Sequence, residues 1–252
     1  MNFLKKYHPE LSIDNFSALD GTITYFAFVR AAMRRVKAKK VLDYGAGRGA
    51  EFIIYDDNNG SLFKRELQDL RSDGAEVWAC DIDPVVLEHP ASHHQFVFKV
   101  GEALPVEDET FDVICSEFVF EHVVDPEPVA RELMRVLKPG GYLCARTANK
   151  YGYVTLGARL VPNKSHVGWL KRIMPDRHAE DVFPTAYKMN TPGDIKRLFP
   201  ECEVSWYRDS ANPSYFFGSS IIYRIMLVVH KLLPNWAATG LCLFIRKPGH
   251  RD

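Results

Sequence analysis

The stretch Val41-Leu42-Asp43-Tyr44-Gly45-Ala46-Gly47-Arg48-Gly49 is a short apolar strand that ends in an acid and runs straight into a glycine-rich turn. Glycine is required where a turn needs positive φ, or where backbone must approach a ligand with no Cβ in the way. A helix opening after such a turn offers N–H groups and a positive dipole end to a carboxylate or phosphate. The pattern points to a nucleotide-type cofactor. It also aligns with the dinucleotide fingerprint G-x-G-x-x-A through Gly45, Gly47 and Ala50, so further landmarks have to choose between cofactors.

Those landmarks follow in order. A second strand, Glu76-Val77-Trp78-Ala79-Cys80, ends at Asp81-Ile82-Asp83 and sets a carboxylate where ribose hydroxyls can donate to it. Gly101-Glu102-Ala103-Leu104-Pro105 reads as a turn able to lie along an adenine ring, and Phe111 to Ser116 as a buried strand. Glu117 to His122 come next, then a helix closed by Lys138-Pro139-Gly140-Gly141 before the strand Tyr142 to Thr147.

Strands are expected at about 40–44, 76–81, 95–100, 111–116 and 141–147, separated by helix or loop, which is the signature of a parallel sheet with crossovers. Residues 16–37 read as an N-terminal helical region with a basic end at Arg34, Arg35 and Lys37. Within 50–75, Asp56 to Ser61 read as a loop that divides the crossover helix. Further on, Thr191 caps a helix running to Phe199, with Pro192 as its first residue, and Glu201–Tyr207 and Leu241–Arg246 read as two last strands. The whole chain, 1–252, reads as one domain: a helical region to 37, a cofactor-binding core over 38–147, a substrate cover over 148–190 and the rest of the sheet beyond.

With 252 residues, 46% hydrophobic and 25% charged residues and zero formal net charge, the chain can build one large core. It lacks the basic excess of a nucleic-acid binder, so no nucleic-acid partner is expected. No apolar run follows Lys5 and Lys6, so no secretory leader is expected and a cytoplasmic location is. The five cysteines, Cys80, Cys115, Cys144, Cys202 and Cys242, each fall in an expected strand and form no C-x-x-C pair; they read as small buried hydrophobes.

Over residues 38–147 the chain resembles the class I S-adenosylmethionine-dependent methyltransferases, through VLDYGAGRG, the strand-end Asp81, LPVEDETFDVI, EHVVDP and RVLKPGG in that order. A nicotinamide dehydrogenase would share the first turn but not the Phe-Asp strand or the Lys-Pro-Gly-Gly turn. The resemblance implies a Rossmann-like α/β fold with a seven-stranded sheet in the order 3-2-1-4-5-7-6, its last strand antiparallel, and S-adenosylmethionine as cofactor. It also implies roles. Asp43 would hold the amino group of the methionine moiety, Gly45 and Gly47 would admit the backbone to the cofactor, and Asp81 would accept from the ribose. Ile82 would pack on the adenine, Glu102 and Ala103 would flank it, and Glu117 would reach the methionine end. For every acid the alternative is a turn or cap residue.

His122 follows the fourth strand on the loop expected to face the transferred methyl, and reads either as a general base toward a hydroxyl or as a support for that loop together with Glu121. The E-x-x-E-H metal arrangement of ubiquinone-pathway O-methyltransferases fails by one residue, since Phe118 stands where the first acid belongs, and no metal is expected. No Asn-Pro-Pro-Tyr turn of nucleic-acid amino methyltransferases follows the fourth strand; Ser116-Glu117-Phe118-Val119 stands there, which favours oxygen as the methylated atom. A regulatory or scaffolding protein that binds the cofactor without turnover is the rival reading.

Residues 150–190 carry Lys150, Arg159, Lys164, Lys171, Arg172, Arg177 and Lys188 against Asp176, Glu180 and Asp181, with Tyr151, Tyr153, Trp169, Phe183 and Tyr187 interleaved. This reads as a cover for a small-molecule, sugar or lipid-linked acceptor carrying negative charge, or as a solvated basic surface. Within 215–233, apolar residues at helical spacing from Ile221 to Leu233 form an amphipathic helix too short to span a bilayer, expected to pack on the sheet or else to rest on a membrane.

Overall fold

The computed structural model describes residues 4–49, 60–160, 184–210, 212–213 and 216–249. The expected loop at 56–59 and, in the cover, Lys164, Trp169, Lys171, Arg172, Asp176, Arg177, Glu180, Asp181 and Phe183 lie outside these residues.

Seven strands form one sheet in the order β3-β2-β1-β4-β5-β7-β6. They are β1 (Lys40–Tyr44), β2 (Glu76–Asp81), β3 (His94–Val97), β4 (Phe111–Glu117), β5 (Leu137–Ala148), β6 (Glu203–Asp209) and β7 (Gly240–Arg246). The first five pair in parallel. β7 runs antiparallel to both β5 and β6. This is the Rossmann-like methyltransferase order implied by the sequence resemblance. Because every β1–β5 crossover returns the chain to the same edge, the carboxyl ends of these strands collect Asp43, Asp81 and Glu117 on one side of the sheet.

The helices among the described residues are α1 (Leu4–Tyr7), α2 (Leu11–Asp14), α3 (Gly21–Val36), α4 (Leu62–Gln68), α5 (Pro126–Val136), α6 (Tyr153–Leu160), α7 (Pro192–Leu198) and α8 (Ser220–Leu232). The central strands are buried on both sides, so one core joins Leu42, Ile114, Leu143 and Leu243 to Leu133 of α5. The other joins Val41, Val77, Val113 and Cys144 to Tyr25, Val29 and Met33 of α3.

The helical region expected at 16–37 begins only at Gly21, because the Asp20 side chain caps α3 by accepting from the Thr22 N–H at 3.1 Å. The third strand is shorter than expected and ends at Val97, and β6 is displaced two residues toward the C-terminus. Cys202 therefore lies just before β6 and is only partly buried. The other four cysteines are buried strand residues, and burial pushes the Cys144 thiol up to about 12 and that of Cys242 to about 11.

Two motif pieces serve the opposite edge of the sheet. Asp112 accepts from the Lys39 and Lys40 N–H groups at 2.8 and 2.9 Å and from Lys138 Nζ at 2.7 Å, tying β1, β4 and β5 together where they start. A Cβ on Gly141 would lie 2.7 Å from the Asp112 carbonyl oxygen, which explains the second glycine of the Lys-Pro-Gly-Gly turn. Among the described residues, no helix is long and apolar enough to cross a membrane.

Candidate functional site

The chain leaves β1 through Gly45, Gly47 and Gly49, all at positive φ (76°, 53° and 64°), where a side chain is strained. The Gly45 and Ala46 N–H groups both donate to the Cys80 carbonyl, at 2.8 and 3.1 Å, which folds the turn over the end of β2. A Cβ on Gly45 would be driven into Val119 Cγ2, with Cγ1 at 3.2 Å, so the loop after β4 walls this turn. Among the described residues, a Cβ on Gly47 would meet nothing within 4 Å.

Asp81 closes the arrangement. One carboxylate oxygen accepts from the Gly47 N–H at 2.8 Å and the other from the Asp83 N–H at 2.9 Å. A carboxylate has about four acceptor positions, so ribose hydroxyls can still be received beside these two bonds. Ile82, 43% exposed at the same strand end, offers an apolar face next to that carboxylate. These features fit an adenosine moiety.

Behind the turn sits a residue that the sequence reading did not single out. His89 is 5% exposed, and its Nε2 lies 3.9 Å from the Asp43 carboxylate. Its Nδ1 accepts from the Ala91 N–H at 3.2 Å, so the neutral ring carries its proton on Nε2, toward Asp43. Burial, reinforced by the nearby Arg71 charge, holds its pKa below the ordinary histidine value. Gly49 leaves room for it: a Cβ there would approach His89 Nε2 to 2.8 Å.

The 101–106 loop borders the site beyond β3. Glu102 is exposed and pairs with Lys99 at 3.7 Å, while Ala103 is exposed beside it. The following residues are clamped by α5. Glu132 accepts from the Leu104 N–H at 2.6 Å, and Arg135 donates to the Leu104 and Val106 carbonyls at 3.1 and 3.0 Å while pairing with Glu132 and Asp108, both at 2.6 Å. The hydrogen bonds from Arg135 hold Glu132 below the usual carboxylate range against the opposing effect of burial.

At the end of β4, Glu117 lies 3.5 Å from Arg146 of β5. Arg146 also donates to Thr22 Oγ1 at 2.9 Å and covers the Phe118 ring at 5.1 Å from its centroid. Phe118 has φ 54°, held there by its N–H bond to the Arg146 carbonyl at 2.7 Å. Asp209, at the end of β6, sits close enough to α3 that a Cβ on Gly21 would strike its carboxylate. Burial raises the Asp209 pKa, with Arg146 opposing. This Glu117–Arg146–Asp209 cluster gathers four elements; its sequence signal is a single arginine in the apolar strand Tyr142-Leu143-Cys144-Ala145-Arg146.

Glu121 and His122 have separate roles. Glu121 is 6% exposed and accepts from Thr147 Oγ1 at 2.6 Å, with Asn190 donating to the same hydroxyl at 2.7 Å, so it braces the loop against β5. His122 Nδ1 lies 2.9 Å from the Pro184 carbonyl oxygen, which makes Nδ1 the donor and leaves Nε2 as the acceptor nitrogen. Asp43, Gly45, Gly47, Asp81 and Ile82 thus share the first two strand ends, Glu102 and Ala103 border them, and Glu117 and His122 lie on the β4 side. Of the expected basic cover, Lys150 and Lys188 line a depression of about 310 Å³ together with Asp125, Glu127, Asp194 and Arg197. Acids and bases are balanced in that depression, the three acids all coming from outside the cover.

Residues 42–145 match the family described as "Methyltransferase domain". The matched residues carry β1 to β5 and the glycine turn, and the sheet order is that of the Rossmann-like methyltransferase fold. Among curated proteins, the ubiquinone/menaquinone biosynthesis C-methyltransferase UbiE of Cronobacter sakazakii is 29% identical over 180 residues, 67% of this chain and 63% of that protein. The ubiquinone biosynthesis O-methyltransferase of Parvibaculum lavamentivorans is 35% identical over 95 residues, 36% of this chain and 34% of its own. The chain therefore spans less than two thirds of either relative. Two solved structures share the fold: a chain of the Haloferax volcanii complex containing the Trm112 methyltransferase activator (TM-score 0.52, 16% identity, 89% of this chain and 90% of that one) and the YcgJ protein of Bacillus subtilis (TM-score 0.50, 14% identity, 89% and 98%).

Proposed function

We propose that the protein transfers a methyl group from S-adenosylmethionine to a hydroxyl oxygen of a small-molecule acceptor. The observation that carries this reading is the stitched pair of strand ends, with the Gly45–Gly47 turn hydrogen-bonded to Asp81 and Asp43 beside it. When bound, the cofactor supplies a methyl group on a sulfonium, already a strong electrophile. Asp43 would hold its amino group, Asp81 its ribose, and Ile82, Glu102 and Ala103 its base. These residues fix position, which contributes about 7–11 kcal/mol in well-oriented reactions. Proton removal contributes less, about 10²–10⁴-fold.

On this reading His122 or Glu117 takes that proton. His122 presents Nε2 as an acceptor, and Glu117 presents a carboxylate held by Arg146. The relatives' names divide between carbon and oxygen transfer. Oxygen rather than nitrogen is favoured here by Ser116-Glu117-Phe118-Val119 at the end of β4, where an amino-directed turn is absent. The test is a labelled-methyl screen of the purified protein over phenols, quinols, sugars and amines. An O-methyl ether from a hydroxyl acceptor, lost in the analogue lacking that hydroxyl, supports the proposal. Transfer only to nitrogen or carbon, or saturable cofactor binding with no transfer to any class, refutes it.

A further inference from the structure

Helix α8 leaves an apolar face uncovered. Only Tyr223 is buried in it, so the expectation that this helix packs on the sheet is overturned. Tyr223 and His230 face the protein, with Met226, Leu227 and Val229 half-buried. The Tyr223 hydroxyl meets His8 Nε2 at 2.6 Å and Asn212 Oδ1 at 3.2 Å, and His230 Nε2 meets the Tyr153 hydroxyl at 2.6 Å. At 3.6 residues per turn, Tyr223 and His230 lie about 20° apart, whereas Ile221, Ile225, Val228 and Leu232 fall within about 60° of arc on the far side.

That far side is open. Ile221, Ile225, Val228 and Leu232 are 70%, 57%, 57% and 76% exposed, and Phe217 and Trp236, both 59% exposed, stand just before and after the helix. Arg224 and Lys231 are exposed along one flank of the stripe, and the sequence from Phe216 to Trp236 contains no Asp or Glu. α8 joins the end of β6 to the start of β7, where Asp209 pairs with Gly240 and Gly240 with Ala148 of β5. It therefore leaves the sheet at the same end as the glycine turn and Glu117.

We propose that α8 docks the protein on an anionic lipid bilayer, lying in the interface with its apolar stripe in the headgroup–acyl boundary. Several features choose this occupant. Thirteen residues are too few to span a bilayer of about 30 Å but suit an interfacial helix. Aromatic rings at both ends and cations on the flank match a headgroup layer of negative charge. A second copy packed on the same stripe would set Arg224 and Lys231 against their own counterparts with no acidic residue on the face to compensate. The docking does not depend on the methyl-transfer reading, and its test reads binding alone.

The test is flotation of the full chain with phosphatidylcholine vesicles, with and without phosphatidylglycerol, at low and high salt. The wild type is expected to float with the anionic vesicles, and Ile225→Glu/Leu232→Glu to lose about tenfold or more of the bound fraction at unchanged Tm. Arg224→Glu/Lys231→Glu should lose the preference for anionic lipid. The proposal fails if the wild type stays at the bottom of the gradient with both vesicle types. It also fails if the Ile225→Glu/Leu232→Glu protein floats as well as wild type, or if the wild type forms dimers that those substitutions disperse while showing no affinity for vesicles.

Discussion

Gly45→Ala tests the glycine turn most sharply, because two independent penalties meet at that position. An alanine at φ 76° is in the left-handed region, which costs about 1–2 kcal/mol. Its Cβ would also be driven into Val119 Cγ2, and overpacking of this kind costs about 1–3 kcal/mol. The sum, about 2–5 kcal/mol, is a large part of the about 5–15 kcal/mol by which domains are stable. Urea denaturation of four proteins separates the two penalties: wild type, Gly45→Ala, Val119→Ala and the double variant. Removing the Val119 methyl groups relieves the overpacking and leaves the backbone strain, so the double variant should recover the overpacking share relative to Gly45→Ala once the cost of Val119→Ala alone is subtracted. On the proposed reading the same turn cradles the cofactor, so titration with S-adenosylmethionine should show weaker binding in both Gly45 variants. A Gly45→Ala protein with wild-type stability and affinity, or two variants whose effects simply add, would refute the role assigned to the turn.

Three further outcomes follow from the geometry. Arg135→Ala removes the clamp on Leu104 and Val106, should destabilise by about 1.5–3 kcal/mol as charged hydrogen bonds do, and should weaken cofactor binding; unchanged affinity would contradict the clamp's effect on the site. Arg146→Met leaves Glu117 and Asp209 without their cation and should cost about 3–5 kcal/mol in urea denaturation, with Arg146→Lys recovering part of it; equal loss in both would show that charge is not what matters there. Burial alone would raise the Asp112 pKa, but the bonds from Lys138, Lys40 and Lys39 outweigh it and hold the carboxyl below its ordinary value. A depressed folded pKa gives stability that is complete above the unfolded value, about 3.9, and is lost as pH falls through the folded one. Asp112→Asn should therefore be less stable near neutrality and show a shallower loss at acid pH; identical acid limbs would count against it.

The parts of the site visible in the sequence are those encoded by neighbours. Asp43 and Asp81 each end an apolar run, so both the strand and the position of its acid at the tip can be read together. The strand order rested on resemblance, and the paired register agrees with it. What was not legible depends on partners far apart in the chain. Arg146 reads as one polar residue in a strand until Thr22, 124 residues away, meets it in space. His89 has no signal beyond its identity, because its meaning comes from Gly49 lacking a Cβ. The periodicity of α8 gave the apolar stripe but not its direction, since periodicity does not record that Tyr223 and His230 bond inward. Edge strands were misplaced by two or three residues, as expected for β3, which has no fully buried residue to pin its ends.

Calorimetric titration of S-adenosylmethionine into the wild-type protein and into Asp81→Ala addresses the central claim directly. Saturable binding to one site is expected in the wild type. The variant should bind at least about 100-fold more weakly, because two hydrogen bonds to a charged acceptor, each about 1.5–3 kcal/mol, are lost. A folded wild-type protein that shows no saturable heat, or an Asp81→Ala protein that binds as tightly, would contradict it.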